Sequence, residues 1–174
     1  MRSATGYREG VAGIDSGSDR LADLYAAHSE AAVRLAYLLT GNRAAAEDLA
    51  QEAFVKICGR FAHLREPERL GGYLFRTITN LARSRARRAQ LHDRVVARQA
   101  PTTSTEPVDI DRREELWRAL MKLPIRQRAA IFLRYYQDMS ETQAADVLGC
   151  SPSAVKSLVA HAMQKLRKQV IGDA

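Results

Sequence analysis

Ser140-Glu-Thr-Gln-Ala-Ala-Asp-Val-Leu-Gly-Cys-Ser-Pro-Ser-Ala-Val-Lys-Ser-Leu-Val-Ala160 contains two helix starts and the turn between them. Ser140 and Gln143 form a capping-box sequence, the hydroxyl positioned for the Gln143 amide and the Gln143 side chain able to answer. The helix they open should stop at Gly149. Ser151 can cap the next helix, and Pro152 suits its first position, where a missing N–H costs nothing. A helix-turn-helix needs a small residue at the helix crossing, a glycine in the turn and apolar residues between the helices. Ala145, Gly149, Leu148, Cys150, Val155 and Leu158 supply these in one register, so 141–160 reads as that motif. Ser153, Lys156, Ser157, Ala160 and His161 face outward from the second helix, a small, polar and basic set able to enter a major groove. Lys165, Arg167 and Lys168 continue the charge toward the backbone. An ordinary αα-hairpin with a solvated basic face shares the periodicity, but the turn and both caps favour the DNA-reading motif.

Working upstream, Leu116, Trp117, Leu120 and Leu123 give one helical face, and Pro124 starts a helix through about Tyr136. The stretch 99–107 lacks apolar periodicity and holds Pro101 and Pro107, so it reads as a linker. On its far side, Leu21, Leu24, Tyr25, His28, Ala32, Leu35 and Leu38 or Leu39 form an apolar stripe ended by Thr40-Gly41-Asn42. Asn42 can cap a second helix, where Leu49, Ala53, Ile57 and Phe61 repeat every four residues, Ala50, Phe54 and Cys58 widen the same apolar face, and Glu47, Asp48, Gln51, Glu52 and Lys56 lie opposite. A third, with Leu74, Ile78, Leu81 and Ala82, ends in Arg83, Arg85, Arg87 and Arg88. No strand-like alternation appears, so the expected fold is all-α: two small helical modules joined by a flexible linker. The expected organisation is a disordered tail over 1–18, one module over 19–90, a linker over 91–112 and a second module over 113–172.

The chain has 174 residues and a net charge of +7, which points to a polyanionic partner. The basicity is uneven: residues 71–100 carry seven positive and one negative side chains, and 120–174 carry eight and four. The longest apolar runs, Leu35–Leu39 and Ala129–Leu133, fall far short of the ~20 residues that span a bilayer, so membrane insertion is not expected. Two cysteines, Cys58 and Cys150, without a CxxC pair speak against a disulfide scaffold or zinc site and for a reducing cytoplasm. No carboxylate pair, Cys and His dyad, glycine-rich phosphate loop or metal-ligand spacing appears, so neither an enzyme nor a cofactor is expected. Tyr73, Phe75, Thr77 and Asn80 offer aromatic faces and short hydrogen-bonding groups, the equipment for holding unstacked bases, although aromatics at helical spacing more often pack a core.

Three motifs carry a family resemblance: Ala46-Glu-Asp-Leu-Ala-Gln-Glu-Ala-Phe-Val-Lys-Ile57, Gly72-Tyr-Leu-Phe-Arg-Thr-Ile-Thr-Asn-Leu-Ala-Arg83, and Leu123-Pro-Ile-Arg-Gln-Arg-Ala-Ala-Ile-Phe-Leu-Arg-Tyr-Tyr136 leading into the helix-turn-helix. From about Leu21 to Val170 the chain resembles an extracytoplasmic-function sigma factor of the sigma-70 family, the bacterial promoter-specificity subunits. The resemblance implies sigma region 2 and region 4 on either side of the linker. It implies that Asp48, Gln51, Glu52 and Lys56 grip core RNA polymerase. It also implies that Tyr73, Arg76, Asn80, Arg83 and Arg87, with the loop 63–70, receive the nontemplate strand of the minus-ten element. Ser153, Lys156, Ser157, Ala160, His161 and Lys165 would then read the minus-thirty-five duplex, and an anti-sigma factor would be able to cover both modules. The sequence departs from the common family pattern at Tyr73, where Trp is frequent, at Ser84, where an acid is frequent, and at Ala160 and His161, where bulkier or arginine side chains often sit. The residues alone also fit a stand-alone helix-turn-helix regulator, which would bind duplex tightly without polymerase.

Overall fold

A computed structural model describes residues 12–59, 69–96 and 112–170. Every regular element among them is helical: α1 (Ala12–Thr40), α2 (Arg43–Cys58), α3 (Leu70–Val96), α4 (Arg112–Met121), α5 (Ile125–Ile131), α6 (Glu141–Leu148) and α7 (Pro152–Val170). A π-helical turn, Phe132–Tyr136, continues α5. The all-α expectation holds, and three boundaries move. α1 begins at Ala12, inside the stretch expected to be a disordered tail, because Gly13 and Gly17 weaken a helix without stopping one and no proline precedes Pro67. α3 passes the expected boundary at residue 90 and runs to Val96, since Ala89-Gln-Leu91 continues helix-compatible sequence beyond the arginines. The helix expected from Pro124 through about Tyr136 widens after Ile131, where the Gln137 amide bonds to the Phe132 carbonyl at 3.0 Å, and Asp138 turns the chain at φ +51°.

The local signals act as the chemistry requires. Asn42 Oδ1 accepts from the Ala45 amide at 2.9 Å and starts α2. The Ser140 amide donates to Gln143 Oε1 at 2.8 Å, and the Gln143 amide donates to Ser140 Oγ at 3.1 Å. Gly149 ends α6 in the left-handed region at φ +60°, where a side chain would be strained. Ser151 Oγ then accepts from the Ala154 amide at 3.2 Å as α7 begins.

α1, α2 and α3 enclose a core of Leu35, Leu49, Ala53, Phe54, Leu74, Phe75 and Ile78. Gly71 lets α3 meet α1: a Cβ there would stand 2.7 Å from Cε1 of His28, closer than the ring can tolerate without moving. Gly71→Ala is therefore expected to lower stability by about 1–3 kcal/mol, the usual cost of overpacking, read as a lower urea midpoint with unchanged slope. In the second module Ala119 of α4 and Leu123 of the turn after it cluster with Ala162 and Leu166 of α7.

The modules do not stand apart. Ala129, Ala130, Phe132, Leu133, Ala144, Val147 and Leu148 belong to the same continuous core as α1–α3. The Phe75 and Phe132 rings meet edge to face with centroids 6.0 Å apart, and Tyr37 stacks on Trp117 at 4.6 Å. Domains of this size bury only about 60% of the surface their unfolded chains expose, so each module gains core from the other.

Candidate functional site

The α7 face follows from helical geometry. Val155, Ala162 and Leu166 are buried beneath it, whereas Ser153, Lys156, Ser157, Ala160, His161 and Lys165 are all exposed, the first five at i, i+3, i+4, i+7 and i+8. Ser151 Oγ and Ser153 Oγ lie 3.0 Å apart, and Ser157 Oγ donates to the Ser153 carbonyl, which keeps the near end of this face short and polar. The supporting turn holds Ala145, Leu148 and Val155 buried and Cys150 and Leu158 partly so.

On α3 a second stripe appears. Tyr73, Arg76, Asn80, Arg83 and Arg87 recur at intervals of three and four, with Leu74, Phe75, Ile78 and Ala82 buried on the other side. Tyr73 is 38% exposed, enough to present a ring face, while Phe75 is 1% exposed and belongs to the core. The sequence had offered both aromatics for base stacking, and burial leaves only Tyr73 available. The loop expected to assist them, 63–70, lies outside the described residues except for Arg69 and Leu70.

The polar face of α2 is more tightly organised than its sequence suggests. Asp48 pairs with Arg85 at 2.8 Å, Glu52 pairs with Arg85 at 2.5 Å and with Lys56 at 2.9 Å, and Glu47 pairs with Arg43 at 3.0 Å. Lys56 and then Arg85 hold the Glu52 carboxyl below the ordinary carboxylate range. Asp48, Gln51 and Lys56 remain exposed and Glu52 half-buried. Arg85 is the participant that sequence reasoning missed. Its signal was positional: it follows Ile78 and Ala82 at helical spacing, so it lies beside the α2 packing face and away from the stripe of Arg83 and Arg87.

His28 carries no chemistry of this kind. It packs edge-on against Phe75 at 6.0 Å and over Gly71, and burial lowers its pKa below the ordinary imidazole value. The unfolded chain therefore binds this proton at higher pH than the folded chain. The stabilising contribution is present above the unfolded value near 6.5 and is lost as pH falls toward the lowered folded value. Urea midpoints are expected to drop as pH falls below about 6.5, and His28→Gln is expected to flatten that drop. The Glu52 contribution has the same sign but is lost only further down, below about pH 4.3.

Among the described residues there is no cluster of three or more His, Cys, Asp or Glu side chains able to hold a metal, and no helix long and apolar enough to cross a membrane. What the fold does display is a helix-turn-helix with an exposed face on α7, a basic and aromatic stripe on α3, and a charged face on α2. These features define an all-helical protein of two modules, one of them carrying a helix-turn-helix.

Comparison with known proteins gives that class its family. Residues 24–92 match the sigma-70 region 2 model, and residues 113–166 match sigma-70 region 4. The RNA polymerase sigma-E factor of Streptomyces avermitilis is 31% identical over 81% of this chain and 79% of its own length. The ECF RNA polymerase sigma factor SigE of Mycolicibacterium smegmatis is 33% identical over 91% of this chain, which spans 66% of that relative. Among solved structures, CnrH in complex with the cytosolic domain of CnrY is 26% identical with a TM-score of 0.63, covering 88% of this chain and 89% of that one. The sigma factor RpoE from Bartonella quintana, solved with the anti-sigma factor NepR, shares the fold at 24% identity and a TM-score of 0.71, covering 92% of this chain and 99% of that one. The chain belongs to the sigma-70 family, in its extracytoplasmic-function branch.

Proposed function

We propose that this protein is a promoter-specificity subunit that acts from the cytoplasm and has no catalysis of its own. Asp48, Gln51, Glu52 and Lys56 on α2 bind core RNA polymerase. Tyr73, Arg76, Asn80, Arg83 and Arg87 hold the melted nontemplate strand, the tyrosine by stacking and the arginines by phosphate contact. Ser153, Lys156, Ser157, Ala160, His161 and Lys165 lie in the major groove of the upstream element. The observation that carries this reading is the pair of separate stripes: small and basic on a recognition helix, aromatic and basic on α3. Duplex reading needs the first and strand capture the second, and a regulator that only reads duplex has no use for the second.

Phosphate contacts dominate the affinity of such a chain, so binding weakens steeply with salt. Because CnrH and the Bartonella protein were solved with CnrY and NepR, an anti-sigma protein that covers both modules fits this chain as well. The test is co-elution of the purified chain with bacterial core RNA polymerase. Saturable one-to-one binding supports the reading, and tight duplex binding with no affinity for polymerase would replace it with a stand-alone regulator.

A further inference from the structure

Asp48 and Glu52 stand four residues apart on one face of α2, a spacing at which two carboxylates repel and turn apart into water. Arg85 prevents this from the neighbouring helix. Its Nη1 lies 2.8 Å from Oδ2 of Asp48 and its Nη2 lies 2.5 Å from Oε2 of Glu52, so one planar guanidinium bridges both acids. Lys56 takes the other oxygen of Glu52, Oε1, at 2.9 Å. Glu52 is thus held from two sides. The Asp48 side chain stays 69% exposed even so, open to a partner while tied at its base.

The position of Arg85 follows from where the packing of α3 ends. Ala82 is the last buried residue of α3 among those described, and Arg85 comes three residues later on the same flank. Beyond the apolar contact, the ion pairs of Arg85 carry the join of α3 to α2 onward. Arg83 and Arg87 lie two residues to either side, which turns each about 200° around the helix from Arg85. Arg85 is therefore off the strand-binding stripe, and both of its terminal nitrogens are committed to α2. A side chain so placed acts on a partner through the groups it holds.

We propose that Arg85 is a positioning residue for polymerase binding: its guanidinium fork presents Asp48 and Glu52 to core polymerase as one fixed anionic pair. The inference rests on the polymerase-binding role proposed above for those two acids. In the free chain the fork removes rotamers that the acids would otherwise lose on docking, so the ordering precedes the partner. Two effects oppose each other here. Positive charge behind the acids weakens their pull on a cationic partner, whereas their fixed geometry strengthens it. Water screens the first at a surface where these side chains are a third or more exposed, so the second decides the sign.

Equilibrium titration of the full-length chain against labelled core polymerase tests this with Arg85→Ala, and urea unfolding beside it shows that the variant is folded. Affinity is expected to fall about five- to tenfold. A merely structural ion pair predicts a lower urea midpoint with unchanged polymerase affinity, and a competitor for the acids predicts tighter binding; either result would overturn the proposal. A double-mutant cycle separates action through the acids from direct contact. In a background of Asp48→Asn with Glu52→Gln, Arg85→Ala is expected to change polymerase affinity by less than about twofold. A loss as large as in the wild-type background would mean that Arg85 touches polymerase itself and would end the positioning role. Arg85→Lys keeps the charge and loses the fork, so it is expected to recover less than about half of the loss on a logarithmic scale. Full recovery by lysine would show that charge alone suffices and would likewise overturn the proposal. Failure of the wild-type chain to bind polymerase, or equal binding by the wild type and the Asp48→Asn, Glu52→Gln background, would instead count against the proposed function itself.

Discussion

Asp48→Arg with Glu52→Arg is expected to reduce binding to core polymerase by on the order of 100-fold, because reversing charges in a desolvated interface replaces attraction with repulsion and costs ~2–5 kcal/mol. The ion pairs of α2 add a second consequence. Arg85 bonds both carboxylates in the free protein, so the double variant gathers three guanidinium groups and loses stability as well. These groups are a third or more exposed, and solvent screening keeps that loss near 1 kcal/mol. The two effects separate with a triple variant that adds Arg85→Glu. This restores opposite charges between α2 and α3, so the urea midpoint recovers while polymerase binding does not. Recovery of polymerase binding with the midpoint would mean that the acids act through the fold. Equilibrium titration against labelled core polymerase, with urea unfolding in parallel, decides between the two.

Lys156→Glu is the second large effect, and it belongs to the other module. Lys156 is exposed on α7 between Ser153 and Ser157, where a recognition helix meets bases and phosphates. A lost contact costs about 1–3 kcal/mol, and a carboxylate facing phosphates adds repulsion, so transcription from promoters that depend on the upstream element is expected to fall by roughly 10- to 100-fold. Co-elution with polymerase should be unchanged, because α2 lies in the other module. The salt dependence of upstream duplex binding should become shallower, with a slope reduced by about one. Undiminished transcription with an unchanged slope would remove Lys156 from the interface.

Much of the fold was legible because its signals are local. The capping box of Ser140 and Gln143, the Asn42 cap, Gly149 and Pro152 act within a few residues of themselves, and each stands in the structure as its chemistry requires. The exposed face of α7 follows from Val155, Ala162 and Leu166 being buried at helical spacing. What depends on distant contacts was not legible. Nothing near Tyr37 announces Trp117, and nothing near Leu38 announces Arg128, ninety residues away, so two modules read as separate prove to share a core. Arg85 was grouped with its arginine neighbours because charge was read along the chain, whereas the helix turns it toward Asp48 and Glu52. The π turn at Phe132–Tyr136 was hidden for a related reason: its wider hydrogen bonding accommodates a packed Phe132 and Leu133 and leaves no compositional mark.

Runoff transcription with purified core RNA polymerase on fragmented genomic DNA from the source bacterium tests the central claim most directly. With the chain added, the account predicts discrete transcripts, absent with core alone, whose start sites share two upstream motifs set apart by a fixed spacing. Transcripts no different from those of core alone, with polymerase shown to be active and the chain shown to be folded and free of inhibitor, would contradict it.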